Sequence, residues 1–279
     1  MKKFRLFTAI AVFMAIGSAF LPKQTEKFSL KQIENDLMKV DQNLYASAYE
    51  VSNLDYRTFL LESNTAVKAY CTLDTANWLN PDYYAEPLAA YYHTHQAYNN
   101  YPVVNVSHRA ALEYCNWLTK KYNAWPKRKF KKVRFRLPNE EEWEKAAKGG
   151  KTHIQYPWGG PTLDGYCKYF KAPQTAVHFD KEQNAYVLFI KKSGPGVSDN
   201  ISKDAGNMGA PVAVNSFKPN GFGIYNICGN VAEMMEEEGI SRGGGWLSAG
   251  GDVQIKSRAE YSKPQIDVGF RCFMEVIEE

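Results

Sequence analysis

The sequence predicts an α+β domain that is low in regular secondary structure. Three observations point there: a few amphipathic helices with clear capping signals, short strand-like alternations, and long stretches rich in Gly, Pro, Asn and Tyr. The 279 residues are 44% hydrophobic and 23% charged, which fits one sizeable globular domain or at most two. Lys+Arg 34 against Asp+Glu 30, net +4, is too balanced to imply a nucleic-acid partner, and none is expected.

At the N-terminus Lys2, Lys3 and Arg5 precede an uncharged apolar stretch from Leu6 to Leu21, the pattern of a Sec-type signal peptide. Gly17 and Ala19 occupy suitable −3 and −1 positions, so residues 1–19 are expected to be removed, leaving 20–43 as a lead-in and 44–279 as the folded domain. The other reading of the stretch is an uncleaved anchor, since it approaches the lower limit for a span. No cysteine precedes Cys71, so a lipobox and a lipoprotein anchor are not expected.

Ile33, Leu37 and Val40 recur at helical spacing and predict a lead-in helix within 28–43. The segment LYASAYEVSNLDYRTFLLE then alternates as a strand, and Ser52 caps a helix carrying Leu54, Phe59 and Leu60. Residues 78–106 are turn-rich and carry Tyr83, Tyr84, Tyr91, Tyr92, Tyr98 and Tyr101, which suit core packing or, alternatively, a stacking surface for glycans or a partner. Ser107 caps a second helix with Ala111, Leu112, Cys115, Leu118 and Tyr122 on one face. In KRKFKKVRFR, residues 127–136, cations interleave with Phe130, Val133 and Phe135 as in a solvated strand, the alternative being an anion-binding face.

RLPNEEEWEKAAKGG is the clearest helix, with Asn139 as N-cap, Glu142 completing a capping box, acids on the positive end of the dipole and Gly149 as the stop. Beyond YPWGG the chain becomes irregular, with one strand-like run, AYVLFI at 185–190, and no internal repeat. The five cysteines, at 71, 115, 167, 228 and 272, form no CxxC pair and argue against zinc or a thioredoxin-type motif. His93 and His95 share a side only if the segment is extended, and no third ligand accompanies them; structural or surface roles are the simpler reading.

The motifs PVVNVSHRAALEYCNWL, RLPNEEEWEKAAKGG, YPWGG, NGFGIYNICGNVAEM, RGGGW and VGFRC occur in the order found in the formylglycine-generating enzyme, or sulfatase-modifying factor, family. With AYEVSNLDYRTFL near the start, the resemblance spans about residues 44 to 275. It implies a variant of the C-type-lectin-like fold that commonly holds calcium. Within the family the chain is most similar to members from Bacteroidetes-type bacteria, including lipoproteins of gliding motility and type IX secretion. Members of this fold include oxidases, iron-dependent sulfur-transfer enzymes and non-catalytic assembly proteins, so activity rests on the site and not on the fold.

In the oxidases two cysteines shortly after a Gly-Gly-Ser motif bind copper(I), for which soft thiolates are the suited ligands. Aligning RGGGWLSAGGDV with that motif puts Gly245 at the serine, Ser248 and Val253 at the two cysteines, and Ala249 at a histidine. Met234 stands where the family carries a tryptophan. No copper and no catalytic residue are therefore expected, and the turn reads as scaffold. The iron-dependent branch is unsuited too, since its histidine-bearing helical domain has no counterpart here.

By the same resemblance Asn226, the Gly229 and Val231 carbonyls and Glu233 would ligate a structural calcium; the alternative is a tight Gly-Asn turn with Glu233 in solvent. A second family calcium position, with Asp204 and Tyr169, is incomplete because Tyr169 replaces an asparagine. Cys115 and Cys272 match a disulfide of the family's animal oxidases, and two buried thiols are the other reading. Residues 171–208 depart most from the family pattern, as a partner-binding element or a tolerated loop.

Taken together, these features lead to the expectation of an exported, non-catalytic, calcium-stabilised binding or assembly component of a bacterial cell envelope, in the periplasm, at the outer membrane or outside the cell. Envelope proteins are its expected partners, and membrane association would come only through them or an uncleaved signal anchor. The alternative is a sulfatase-modifying-factor-type enzyme using a non-standard site such as Ser248, Asp252 or Arg258, which calls for a deep polar pocket beside Trp246.

Overall fold

The computed structural model describes residues 27–80, 85–169, 175–180, 185–190 and 210–279. The signal-like segment, Tyr83, Tyr84, Asp204 and most of 171–208 lie outside them. The elements in order are α1 (Leu30–Asn35), β1 (Leu37–Lys39), β2 (Leu44–Ser47), α2 (Asn53–Glu62), α3 (Thr65–Cys71), α4 (Glu86–Tyr91), α5 (His108–Ala124), β3 (Lys132–Arg136) and α6 (Glu140–Lys148). They are followed by β4 (Thr175–Asp180), β5 (Ala185–Ile190), β6 (Ala232–Met234), β7 (Ile240–Arg242), β8 (Arg258–Glu260), β9 (Val268–Gly269) and β10 (Phe273–Glu278).

The lead-in differs from the sequence expectation. A helix occupies only Leu30–Asn35, and Leu37 and Val40 belong to a hairpin, with Leu37 opposite Ser47. Asp41, Gln42 and Asn43 are the cause: they form the turn in which Val40 and Asp41 N–H groups both donate to the Leu44 carbonyl, so β1 folds back on β2.

Two four-stranded sheets and a separate β4–β5 pair organise the described residues. The first sheet, β1-β2-β10-β3, is antiparallel, and β10 divides two cores by its period-2 alternation. Cys272, Met274 and Val276 face α2 and α5, where Tyr56, Phe59, Tyr114, Leu118 and Phe135 pack. Phe273 faces α6 and meets Trp143, Ala146, Ile224 and Ile255. The second sheet, β8-β7-β6-β9, joins β6 to β9 in parallel.

Local signals placed the helices well. Ser52 accepts the Asp55 N–H at the start of α2, and Ser107 accepts the Ala110 N–H at the start of α5. Both halves of the Asn139–Glu142 capping box are formed, and Gly149 ends α6 in the left-handed region at φ 56°. On α5 the buried stripe runs through Ala111, Cys115, Leu118 and Tyr122, but Leu112 is half-exposed because it lies one helical step off that stripe; Tyr114 is buried in its place. β3 alternates exposed cations with buried Val133 and Phe135.

Among the described tyrosines of the 78–106 stretch, Tyr92 is core, and Tyr98 and Tyr101 pack partly buried against it. Tyr92 is fully buried against Trp78, Tyr98 and Tyr101, its hydroxyl donating to the Pro102 carbonyl at 2.7 Å, while Tyr91 is exposed. His93 and His95 diverge: His93 is buried with Nδ1 3.0 Å from Asn53 Oδ1, and His95 Nδ1 accepts the Ala97 N–H in a turn. Burial pushes the His93 ring down to about 3.

Candidate functional site

Strand β7 delivers Arg242 to the mouth of the glycine turn, where it bonds Glu140 and Glu144 of α6 and the Ile255 carbonyl and lies over the Trp143 ring. The turn is packed tightly from both sides. A Cβ on Gly245 would stand 2.5 Å from the Asp267 carbonyl oxygen, so the position that holds serine in the family has no room for a side chain here. Ser248 Oγ accepts the Gly245 N–H at 2.9 Å, so its hydroxyl closes the turn.

Val253 is fully buried with Tyr156 and Cys167, beneath the loop that also carries Trp158, Leu163 and Tyr169. Trp246 is 4% exposed, stacks on Trp78 at 6.2 Å and donates its Nε1 proton to the Ile266 carbonyl. Arg258 is engaged by Glu140 and Glu260. Two clefts, of about 210 and 440 Å³, open elsewhere: one between Trp158, Tyr166 and Lys218–Gly221, the other between α1, β2 and the start of α2. Neither is lined by Trp246, Ser248, Asp252 or Arg258.

The implied calcium ligands occupy a second, buried constellation. Asn226 and Gly229 both lie in the left-handed region, at φ 50° and 80°, and Glu233 opens into β6. Glu233 is fully buried, not in solvent: Oε1 accepts from Arg271 Nε at 3.0 Å and Nη2 at 2.7 Å, and Oε2 accepts from Trp143 Nε1 at 2.8 Å. Arg271, also fully buried, donates further to the Ser47 and Tyr225 carbonyls. Three donors on a carboxylate with about four lone-pair directions leave Glu233 one acceptor direction.

Asn226 provides the test of fit. Its Nδ2 meets Glu50 Oε2 at 3.3 Å and the Ala213 and Val214 carbonyls at 3.3 and 3.1 Å, while its Oδ1 is buried without a donor. A buried amide oxygen lacking a donor costs free energy unless an electropositive partner faces it. Amide and carbonyl oxygens with one carboxylate are hard donors of the calcium type, so the residues fit that ion. Among the described residues no cluster of three or more His, Cys, Asp or Glu side chains could hold a metal.

Sequence reasoning did not single out Glu50, Asn230, Trp143 or Arg271, although all four lie inside the motifs quoted above. Glu50 is 2% exposed and is held by Asn230 Nδ2 at 2.8 Å; burial pushes its carboxyl up to about 8, against the pull of Arg271. At the incomplete second calcium position, the Tyr169 hydroxyl donates to Asp164 at 2.8 Å. Cys115 and Cys272 are brought together as thiols with sulfurs 3.6 Å apart, against about 2.05 Å for a closed bond.

Comparison with known proteins gives this geometry a family. The sulfatase-modifying factor enzyme 1-like domain matches residues 17–276. The chain is 27% identical to the formylglycine-generating enzyme of Mus musculus over 223 residues, covering 69% of this chain and 48% of that protein. It is 32% identical to the formylglycine-generating enzyme of Thermomonospora curvata over 141 residues, 50% of this chain and 34% of that protein. It is also 29% identical to the inactive C-alpha-formylglycine-generating enzyme 2 of Bos taurus over 188 residues, 62% and 50% of the two chains. The chain thus spans half or less of the length of these relatives. The solved structure of CarF shares the fold, with a TM-score of 0.51 at 17% identity over 84% of this chain and 86% of that one. With buried Glu233 and Arg271 drawn from its GNVAEM and GFRC motifs and a glycine turn in the family's order, the chain belongs to the sulfatase-modifying factor family.

Proposed function

We propose that the protein is an exported, non-catalytic, calcium-stabilised binding or assembly component of a bacterial cell envelope, of the kind that serves gliding motility or type IX secretion. The observation that carries the non-catalytic part is the fate of the two copper-ligand positions: Ser248 is spent on the turn and Val253 is sealed in an apolar cluster. Neither a hydroxyl nor an aliphatic side chain replaces a thiolate toward copper(I). A mammalian relative described as inactive accompanies the catalytic ones, so loss of turnover on this fold has a parallel.

Calcium would be held by Asn226 Oδ1, the Gly229 and Val231 carbonyls and the remaining direction on Glu233. Bound there, it supplies no chemistry beyond charge and cross-linking: it ties the 226–231 turn to β6 and satisfies the orphaned amide oxygen. The signal-like N-terminus supports export, and a domain with an intact scaffold and a filled catalytic turn is suited to presenting its loops to another protein.

Affinity purification of the tagged chain from native envelopes in calcium, with cross-linking and mass spectrometry, tests the assembly role. One reproducible, stoichiometric partner set is expected. Recovery of the protein alone contradicts it.

A further inference from the structure

We propose that the cleft between Trp158, Tyr166 and Lys218 binds an acidic sugar, with its carboxylate between Lys151 and Lys218 and its ring face on an exposed aromatic ladder. The cleft has a volume of about 210 Å³ and is built by two segments far apart in sequence, 151–166 and 218–228.

Its frame is fixed by backbone contacts. Gly149 and Gly221 meet so closely that a Cβ on Gly149 would stand 2.7 Å from the Gly221 nitrogen, and one on Gly221 would collide with the Gly149 carbonyl. Asn220 Nδ2 donates to the Ala146 and Ala147 carbonyls at 2.8 and 3.2 Å, and its Oδ1 accepts the Phe222 and Ile224 N–H groups at 3.0 and 3.1 Å. The Lys218–Gly221 wall is thereby tied to the end of α6, over a floor of buried Ile224, Ile227 and Cys228.

The other wall carries the ladder. Tyr156, Trp158 and Tyr166 stack in series, with ring centroids 5.1 and 5.4 Å apart and planes inclined by 17° and 19°. Tyr156 is buried, whereas Tyr166 is 40% exposed, so the stack begins in the protein and ends on a ring open to solvent. An aromatic face is electron-rich, and the C–H face of a pyranose is polarised the opposite way, so the two pack favourably.

Charge selects the kind of sugar. Both lysines are exposed, and Lys151 Nζ lies 3.4 Å from the Trp158 carbonyl, which holds the ammonium at the aromatic rim and leaves it two protons to donate. Elsewhere lysines are neutralised in pairs: Lys121 by Glu62, Lys131 by Glu278, Lys145 by Asp41 and Lys148 by Glu144. Lys151 and Lys218 form no ion pair with a described residue, and among the described residues no carboxylate lines the cleft. A neutral sugar would use the ladder alone and a simple anion the lysines alone. A uronic acid uses both.

Calorimetric titration of the full-length chain with trigalacturonate tests this, with maltotriose as the neutral sugar and benzoate as the aromatic acid. Trigalacturonate should bind saturably and about 2- to 30-fold more tightly than maltotriose, the gain expected of two solvent-exposed ion pairs. The preference should vanish in about 1 M salt, where screening acts within roughly 3 Å. Lys151→Gln/Lys218→Gln should bring trigalacturonate down to the maltotriose affinity and leave maltotriose unchanged. Tyr166→Ala should weaken both sugars by about 2- to 10-fold. Undetectable trigalacturonate binding, equal affinity for the two sugars in wild type, or wild-type affinity in either variant overturns the proposal. Benzoate binding as tightly as trigalacturonate also overturns it and makes the cleft a site for aromatic acids. The wild-type comparison and its salt dependence decide the matter should a variant fail to fold.

Discussion

Replacing Arg271 by methionine removes the guanidinium from an ion pair whose two side chains have no exposure. The substitution leaves Glu233 with Trp143 Nε1 as its remaining donor and strips hydrogen bonds from the Ser47 and Tyr225 carbonyls. Breaking a buried pair by removing one partner costs about 3–5 kcal/mol, because the surviving charge stays desolvated. In a domain of this size each kcal/mol shifts the unfolding midpoint by roughly 2–4 °C, so a loss near 4 kcal/mol predicts a fall of about 8–16 °C. Calorimetry in EDTA reads this without any cation on Glu233. The double variant Arg271→Met/Glu233→Met should be more stable than the sum of the single losses by about 2 kcal/mol or more, since it removes both charges together. A single-variant fall under about 3 °C, or strictly additive losses in the cycle, refutes the view that this pair is one buried unit.

Four further outcomes are expected. Gly245→Ser, which restores the family's residue, should destabilise by about 1–3 kcal/mol in chemical denaturation, because its Cβ meets the Asp267 carbonyl at 2.5 Å; unchanged stability would mean that the turn yields freely. Asn139→Ala should cost about 1 kcal/mol by losing the α6 cap, and an effect under about 0.3 kcal/mol would contradict the capping role. Although burial opposes it, the hydrogen bonds from Arg136 and the Asn139 N–H hold the Glu142 carboxyl below its ordinary value. Its contribution is present above the unfolded value and is lost as pH falls through the folded one, so below about pH 4.5 the wild-type midpoint should fall more steeply than that of Glu142→Gln; parallel curves would remove Glu142 from the account. Protein secreted through an oxidising compartment should show three titratable thiols after denaturation out of five cysteines, with Cys115 and Cys272 linked. Five thiols would mean that the 3.6 Å pair stays reduced.

The parts of the fold carried by local chemistry were legible in the sequence. The Asn139–Glu142 capping box, the Gly149 stop, the Ser107 cap and the β3 alternation depend on residues within one turn or one strand of each other. In the lead-in Ile33, Leu37 and Val40 satisfy a helical period, and the Asp41–Asn43 turn, closed through Leu44, breaks it into a hairpin. In the candidate site, the motifs fixed which residues lie in the glycine turn and in the 226–233 segment. They did not show that Glu233 is tied to Arg271, or that Glu50 lies 3.3 Å from the Asn226 amide, since these contacts join segments far apart in sequence. On α5 Leu112 lies one step off the Ala111–Cys115–Leu118–Tyr122 stripe and Tyr114 lies on it, so the helical period itself exposes the one and buries the other against Tyr56, Phe59 and Phe270.

The central claim is that the glycine turn keeps the scaffold and lacks the chemistry, and the direct test is oxidation of a cysteine-containing sulfatase-type peptide by the purified chain with copper(I) and oxygen, followed by mass spectrometry. No aldehyde product and no difference on adding copper are expected. Copper-dependent formation of formylglycine would contradict the central claim and place a working site where Ser248 and Val253 now stand.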